Sequence, residues 1–251
     1  MDEHTLPASP ARPSGPERPV RLLASVADAA EAGLALALGA DLIDLKDPRQ
    51  GALGAWPVAA LRRTVAALGG RATVSATVGD LPMEPALLLD AARRTAETGV
   101  DLVKVGFFAD VRQGACARAL AQAAAAGVRL VAVLMADQAP DRALLPVLRA
   151  AGFAGAMLDT ADKRGGSLRQ RLPLAEIERF VAEARALGLL TGLAGSLAVA
   201  DIAPLAALGA DYLGFRGALC RGDRRAALDP VAFRAVRAAL DRAAAGLVLS
   251  P

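Results

Sequence analysis

Lysine is scarce in this chain, and its placement suggests amine chemistry. The 251 residues contain three lysines, Lys46, Lys104 and Lys163, against twenty-six arginines. Arginine serves equally well as a surface charge, but only an amine readily loses its proton or condenses with a carbonyl to form an imine. Clustered ammonium groups in a partly desolvated site lower one another's pKa, which favours a neutral nucleophile. From the pattern alone, imine chemistry and plain salt-bridge or anion binding remain equally open.

Two aspartates are placed to act with these lysines. Asp44 precedes Lys46 by two residues in "DLIDLKDP", and Asp159 precedes Lys163 by four in "MLDTADK". Residues two apart on a strand share one face of the sheet. Either carboxylate could orient or deprotonate a lysine, or could only pair with it. Asp47, which precedes a proline, is interpreted as a turn residue.

The elements that must position these side chains alternate regularly from Val20 onward. Short apolar runs, each followed by an amphipathic or alanine-rich stretch, predict eight strand–helix units. The strands are predicted at 21–26, 41–46, 72–78, 101–107, 129–135, 155–160, 189–195 and 212–217. Eight such units predict a single α/β domain over residues 20–251, a (β/α)8 or TIM barrel, with an open doubly wound sheet as the alternative.

A weak internal repeat aligns the second, fourth, sixth and eighth strands. Each follows a glycine that can form a left-handed helix cap, and these are Gly39, Gly99, Gly152 and Gly209. The residues five positions beyond are Asp44, Lys104, Met157 and Gly214, and those seven beyond are Lys46, Gly106, Asp159 and Arg216. Alternate strands of a barrel share an inward layer, so these positions are expected to converge near its C-terminal mouth.

The loops after the last two strands, "LAGSL" and "FRGALCRGDRR", predict a phosphate site. In barrels these loops commonly bind phosphate through backbone N–H groups, and an arginine adds a bidentate donor. Tight strand-to-helix turns would use the same glycines, so both interpretations stay open. The predicted phosphate-binding residues are Gly195, Ser196, Gly214, Arg216 and Gly217.

Composition argues against several other functions. Residues 1–19 are rich in proline, serine and charge, which predicts a disordered tail rather than a signal peptide. This tail holds His4, the only histidine, so acid–base chemistry must proceed without imidazole and a zinc site is not expected. Scattered basic residues and 3% aromatics argue against nucleic-acid binding. Two cysteines and no long uncharged apolar run predict a cytoplasmic protein that does not bind membranes.

Several stretches together resemble one enzyme family. They are "DLIDLKDPRQGALGA", "VSATVGDLP", "DLVKVGFF", "AMLDTADKRGGSL", "LAGSL" and "GFRGALCRGDR". In combination they resemble (5-formylfuran-3-yl)methyl phosphate synthase, a lysine-dependent barrel lyase of methanofuran biosynthesis. The resemblance extends in order from about Arg21 to the last helix, without large gaps, and the tail before Val20 has no counterpart in it.

The resemblance implies a reaction and a set of roles. Two glyceraldehyde 3-phosphate molecules would condense to 4-(hydroxymethyl)-2-furancarboxaldehyde phosphate, with loss of phosphate and water. Lys46 matches the Schiff-base lysine of the family, Lys104 its proton-transfer lysine, and Asp44, Asp159 and Lys163 further residues of the polar site. No metal or organic cofactor is implied. An arginine- and alanine-rich chain suggests a GC-rich bacterium and therefore the one-carbon metabolism of methylotrophs.

Two other functions remain compatible with these residues. Another Schiff-base aldolase or a phosphosugar isomerase could use the same barrel and lysines. A non-catalytic barrel could instead bind phosphorylated metabolites through the lysine charges. In every case the expected ligand is a small phosphorylated molecule, a triose phosphate under the family resemblance. Alanine-rich outer helices could also pack against a second copy of the chain, and the sequence leaves the oligomeric state open.

Overall fold

Eight parallel strands close into a barrel in the computed structural model, which describes residues 19–248. The strands are β1 Arg21–Val26, β2 Leu42–Leu45, β3 Thr73–Thr77, β4 Leu102–Phe107, β5 Leu130–Met135, β6 Gly155–Asp159, β7 Leu190–Leu193 and β8 Tyr212–Phe215. Each pairs with the next, and β8 returns to pair with β1. The predicted (β/α)8 barrel is confirmed, and the open-sheet alternative is wrong. Residues 1–18 of the predicted tail lie outside the described residues.

Helices surround the barrel. They are α1 Ala29–Ala37, α2 Val58–Leu68, α3 Pro85–Ala96, α4 Gln113–Ala125, α5 Leu144–Ala150, α6 Leu168–Arg171, α7 Leu174–Ala186, α8 Ile202–Ala206 and α9 Pro230–Val248. Short 3-10 turns follow β5, β7 and β8, at Ala136–Gln138, Val199–Asp201 and Gly217–Leu219. Across residues 19–248, no helix is both long enough and apolar enough to span a bilayer.

The alternation of side chains along each strand builds two apolar layers. On β1, Leu22, Ala24 and Val26 are buried in the layer between the sheet and the helices. Leu23 instead packs inside the barrel, with residues such as Leu42 from the neighbouring strand. Because side chains alternate with a period of two, the next inward position on β1, residue 25, faces the barrel mouth.

Aspartates fix the N-terminal end of the barrel. The four glycines of the repeat all adopt positive φ, from 75° to 88°, so the predicted left-handed caps are confirmed. In three of the four repeats an aspartate lies two residues on, and its carboxylate accepts the backbone N–H of the preceding strand at 2.7 Å: Asp41 from Leu22, Asp101 from Val74 and Asp211 from Thr191. These bonds hold neighbouring strands in register at one end, so the side chains at the other end are placed accurately.

Candidate active site

A cluster of three lysines and two aspartates, placed by β2, β4, β6 and the loops that follow β2 and β6, lines one cavity at the C-terminal mouth of the barrel. The cavity measures about 450 Å³, and the five are Asp44, Lys46, Lys104, Asp159 and Lys163. The convergence predicted from the repeat is confirmed for Asp44, Lys46, Lys104 and Asp159, and Lys163, which is not part of the repeat, joins them. Nearly all of each side chain is buried, so their charges interact with little screening by water.

Asp44 is the centre of the β2 side of the cluster. Its Oδ1 atom accepts the hydroxyl of Ser75 at 2.6 Å and lies 3.0 Å from Lys104 Nζ. Ser75 is directly paired with Asp44 in the β2–β3 register, which brings both side chains to the same face. Sequence reasoning missed Ser75, although a polar residue at an inward position of "TVSAT" is the signal that could have found it.

Asp159 is the centre of the β6 side. Its Oδ1 atom accepts Lys163 Nζ at 2.5 Å and the backbone N–H of Thr160 at 2.8 Å, while Oδ2 lies 3.5 Å from Lys46 Nζ. Burial opposes ionisation, but the two lysines and the hydrogen bonds outweigh it and hold the pKa of Asp159 well below its usual range. Asp159 is therefore a carboxylate at neutral pH.

Lys46 lies between the two carboxylates and is held less closely than the other lysines. Its Nζ atom is 3.5 Å from Asp159 and 4.0 Å from Asp44. The corresponding contacts of Lys104 and Lys163 are 3.0 Å and 2.5 Å. A charge-assisted hydrogen bond weakens with distance. Of the three lysines, Lys46 is therefore held most weakly by the carboxylates.

The cavity lowers the pKa of two of its lysines. Burial is the main cause of the lowered pKa of Lys104, and the charge of Lys46 adds to it, while Asp44 opposes it. Burial likewise lowers the pKa of Lys163 to about 8, with Lys46 adding and Asp159 opposing. These lysines can therefore exchange protons nearer to neutral pH than an exposed lysine can.

The predicted phosphate-binding glycines and serine line the same cavity as the lysines. They are Gly195, Ser196, Gly214 and Gly217. Ser196 is unusual because it has a φ of 47°, in the left-handed region that few non-glycine residues adopt. Its hydroxyl donates to the carbonyl oxygen of Lys163 at 3.3 Å, which joins the loop after β7 to the loop after β6. Their binding of phosphate stays a prediction.

Arg216 lines the cavity too, but its guanidinium is directed at protein acceptors. It forms a buried ion pair with Glu31 of α1 and donates to the carbonyl oxygens of Ser25, Arg224 and Ala226. These contacts engage all three of its nitrogen atoms. The geometry favours a structural role for Arg216. Its guanidinium N–H groups are all used by protein acceptors, so none is free to bind phosphate as predicted.

Arg224 is a cationic residue at the mouth that sequence reasoning missed. It lines the cavity, and its guanidinium donates to the carbonyl oxygens of Pro48 at 3.1 Å and Gly51 at 3.4 Å. Burial lowers the pKa of Arg224 below its ordinary value, and the neighbouring Arg216 adds to this, whereas Asp159 opposes it. "CRGDRR" contains three arginines, and no periodic pattern in it marks the one that turns inward.

The loop between β2 and α2 is held over the mouth by Asp80, from the loop after β3. Its carboxylate accepts the backbone N–H groups of Ala52 at 2.7 Å and Leu53 at 2.8 Å. At the start of this loop, Asp47 accepts the backbone N–H of Arg49 and the side chain of Gln50, which confirms the predicted turn. Leu53 is buried with the inward-facing residues of the barrel, and the carbonyl oxygens of Pro48 and Gly51 bring the loop against Arg224 of the cavity wall.

The fold and the cavity together define a TIM-barrel protein with a mixed lysine–aspartate site. The profile of the family 4-HFC-P synthase matches residues 22–237, which is most of the barrel. The chain therefore belongs to the 4-HFC-P synthase family, a family of enzymes, and the family predicted from the motifs is confirmed.

Named relatives agree with this membership. A Methylorubrum extorquens protein, provisionally given the name (5-formylfuran-3-yl)methyl phosphate synthase, is 48% identical over 197 residues, 78% of this chain and 80% of its own. The protein of that name from Methanocaldococcus jannaschii is 37% identical over 206 residues, 76% of this chain and 86% of its own.

Solved structures agree on the fold. A 3-hexulose-6-phosphate synthase has a TM-score of 0.62 at 24% identity, over 88% of this chain and 99% of its own. The phosphoribosyl anthranilate isomerase of Thermus thermophilus has a TM-score of 0.63 at 17% identity, over 89% of this chain and 99% of its own.

Proposed function

We propose that the protein condenses two molecules of glyceraldehyde 3-phosphate to 4-(hydroxymethyl)-2-furancarboxaldehyde phosphate, through an imine on Lys46. The observation that carries the proposal is the position of Lys46 Nζ between two carboxylates, at 3.5 Å and 4.0 Å, while the other two lysines are held closer. An amine must be deprotonated before it attacks an aldehyde, and a nearby carboxylate can accept that proton.

The remaining steps use the other lysines for proton transfer. The imine joins Nζ to the aldehyde carbon, whose oxygen leaves as water. It then draws electrons from the adjacent carbon, which can lose a proton and attack the aldehyde of the second triose. Lys104 and Lys163, whose pKa values are lowered, take up and return protons. Elimination and cyclisation release one phosphate and two waters. Hydrolysis of the carbon–nitrogen bond then takes up the equivalent of the water released in imine formation and frees the Lys46 amine, so the two substrates lose one phosphate and two waters overall.

Two triose phosphates bring two phosphate groups to the mouth. One set of ligands is formed by the loops after β7 and β8, with Gly195, Ser196, Gly214 and Gly217 in the cavity wall. A second groove adjoins the cavity and shares Lys163, Arg164 and Ser196 with it. The cationic residues Arg224 and Arg164 add positive charge where the phosphates would lie.

Membership of the family also supports a proposal for the biological setting. Relatives carry the name of the synthase that makes the furan phosphate, which supports a place in the biosynthesis of a methanofuran-type cofactor. We place this activity in the cytoplasm, in the one-carbon metabolism of a methylotroph.

Reductive trapping tests the proposal. The protein is incubated with glyceraldehyde 3-phosphate and borohydride, and the adduct is located by peptide mass spectrometry. We expect the adduct on Lys46, and we expect turnover without borohydride to yield an ultraviolet-absorbing furan and free phosphate. Lys46→Arg keeps the charge but cannot form an imine, so it should lose both signals, whereas Lys104→Arg should still form the adduct. An adduct located on Lys104 or Lys163 instead would contradict the assignment of Lys46.

A further inference from the structure

Two buried polar atoms on the cavity wall have no hydrogen-bond partner among the described residues. They are Ser25 Oγ, on β1, and Asp44 Oδ2, on β2. Ser25 is 3% exposed and Asp44 is fully buried, and both line the cavity. Buried polar atoms are nearly always hydrogen-bonded in native proteins, so two unpartnered atoms facing one cavity indicate where a ligand binds.

The two atoms belong to neighbouring positions. Ser25 and Asp44 are directly paired in the parallel β1–β2 register, and both project into the barrel. A serine hydroxyl can donate a hydrogen bond, whereas a carboxylate oxygen only accepts one. Side by side, they offer one donor and one acceptor, which is the combination that a hydroxyl group of a ligand requires.

The surrounding contacts hold both groups in place. Asp44 uses its other oxygen, Oδ1, for Ser75 and Lys104, which leaves Oδ2 on the side of Lys46 Nζ. The backbone carbonyl of Ser25 accepts from Arg216, and β1 is paired on both edges, with β2 and with β8. Only rotation of the short Ser25 side chain remains free, so the pair is arranged before any ligand arrives.

The pair also lies beside the amine that we assign to imine formation. Asp44 Oδ2 is 4.0 Å from Lys46 Nζ. In a 2-hydroxyaldehyde, the hydroxyl oxygen is three covalent bonds from the imine nitrogen. An oxygen at that position can therefore lie within hydrogen-bond distance, about 2.8 Å, of Asp44 Oδ2 while the imine is in place.

We propose that Ser25 Oγ and Asp44 Oδ2 form a subsite for the 2-hydroxyl group of the substrate, which makes the site specific for 2-hydroxyaldehydes. The hydroxyl donates to Asp44 Oδ2 and accepts from Ser25 Oγ. Ser25 is then a specificity-determining residue of the reaction. This inference rests on the proposed function for the identity of the ligand, but its geometry can be tested without any turnover.

Titration calorimetry with two unreactive phosphate esters tests the subsite. Glycerol 3-phosphate carries the 2-hydroxyl, and 3-hydroxypropyl phosphate lacks it. We expect the parent protein to bind glycerol 3-phosphate about tenfold more tightly, the preference that one good hydrogen bond supplies. Ser25→Ala should remove most of this preference by weakening only glycerol 3-phosphate, and Ser25→Thr, which keeps a hydroxyl, should restore it.

A matched control separates recognition from stability. Thr98 is a buried residue whose hydroxyl bonds the carbonyl oxygen of Thr95, away from the cavity. Thr98→Ala should lower the melting temperature but leave the preference between the two phosphates unchanged. Equal weakening of both phosphates by Ser25→Ala, or a parent protein without preference, would overturn the subsite. Failure of borohydride trapping on Lys46, with the preference intact, would instead remove the proposed reaction and leave the hydroxyl subsite standing.

Discussion

At the scale of single residues, protonation of Lys163 makes the charge of the cavity depend on pH. Its pKa is lowered to about 8, so the ammonium is charged below that pH and is lost as the pH rises through it. A phosphorylated substrate gains attraction from the charged form only. Under the proposed function we therefore expect the KM for glyceraldehyde 3-phosphate to increase by roughly tenfold between pH 7 and 9.5, measured by initial rates.

Two substitutions at the same position identify the group responsible. Lys163→Arg keeps its charge over this range, so the increase in KM should shrink or disappear. Lys163→Gln removes the charge, so KM should be high already at pH 7 and should change little with pH. An increase that survives unaltered in both variants would assign the titration to another group.

Asp44 is the residue whose loss should disturb the cluster most. Its carboxylate is fully buried between Lys104 and Lys46, at 3.0 Å and 4.0 Å. Asp44→Asn removes the charge and leaves two buried ammonium groups less compensated, so it should lower kcat/KM by at least about a hundredfold. Steady-state kinetics provides the measurement. Asp162→Asn changes an exposed carboxylate that pairs with Arg171, and activity should stay near the parent value.

At the scale of elements, the β2–α2 loop depends on one carboxylate. Asp80 accepts two backbone N–H groups, and an asparagine offers only one acceptor atom in its place. Asp80→Asn should loosen the β2–α2 loop and lower kcat/KM by about tenfold or more. The melting temperature should change little. Asp110→Asn is the control, because Asp110 also caps a loop but makes its contacts with exposed Arg112. Equal effects of the two substitutions would contradict a special role for Asp80.

The sequence predicts most of these elements and much of the site. All eight strands lie within the predicted ranges, because period-two alternation and glycine caps are local signals. The three lysines and two aspartates of the cluster were predicted because lysine is rare and because the repeat places four of them near the mouth; Lys163 was found from its rarity and the family motif. Local patterns do not report partners distant in the chain. The ion pair of Arg216 with Glu31, 185 residues apart, and the inward turn of Arg224 both depend on loop paths that no periodicity encodes.

At the scale of the whole molecule, a buried ion pair ties the loop after the last strand to the first helix. Glu31 pairs with Arg216 and also accepts the backbone N–H groups of Ala27 and Leu228. Glu31→Gln should cost about 3–5 kcal/mol of unfolding free energy, because it leaves the buried guanidinium without its counter-charge. In a chain of this size that corresponds to a fall of roughly 10 °C in melting temperature, measured by calorimetry.

The control for Glu31→Gln is an ion pair on the surface. Asp90 and Arg94 form an ion pair four residues apart on α3, with side chains 58% and 59% exposed. Asp90→Asn should leave the melting temperature almost unchanged, since exposed pairs contribute little. Similar melting temperatures for Glu31→Gln and Asp90→Asn would mean that the contact between the β8 loop and α1 does not stabilise the barrel.

The pairing of β8 with β1 has a consequence for how the protein is made. Arg21 pairs with Tyr212, so the first strand of the barrel must wait for its last strand before both of its edges are covered. The three lysines and two aspartates of the cluster are synthesised earlier, by residue 163, but on a sheet that is still open. Nascent chains thus expose unpaired strand edges for most of translation, which makes them candidates for chaperone binding. Catalytic competence should therefore appear only after β8 has emerged and the ring has closed.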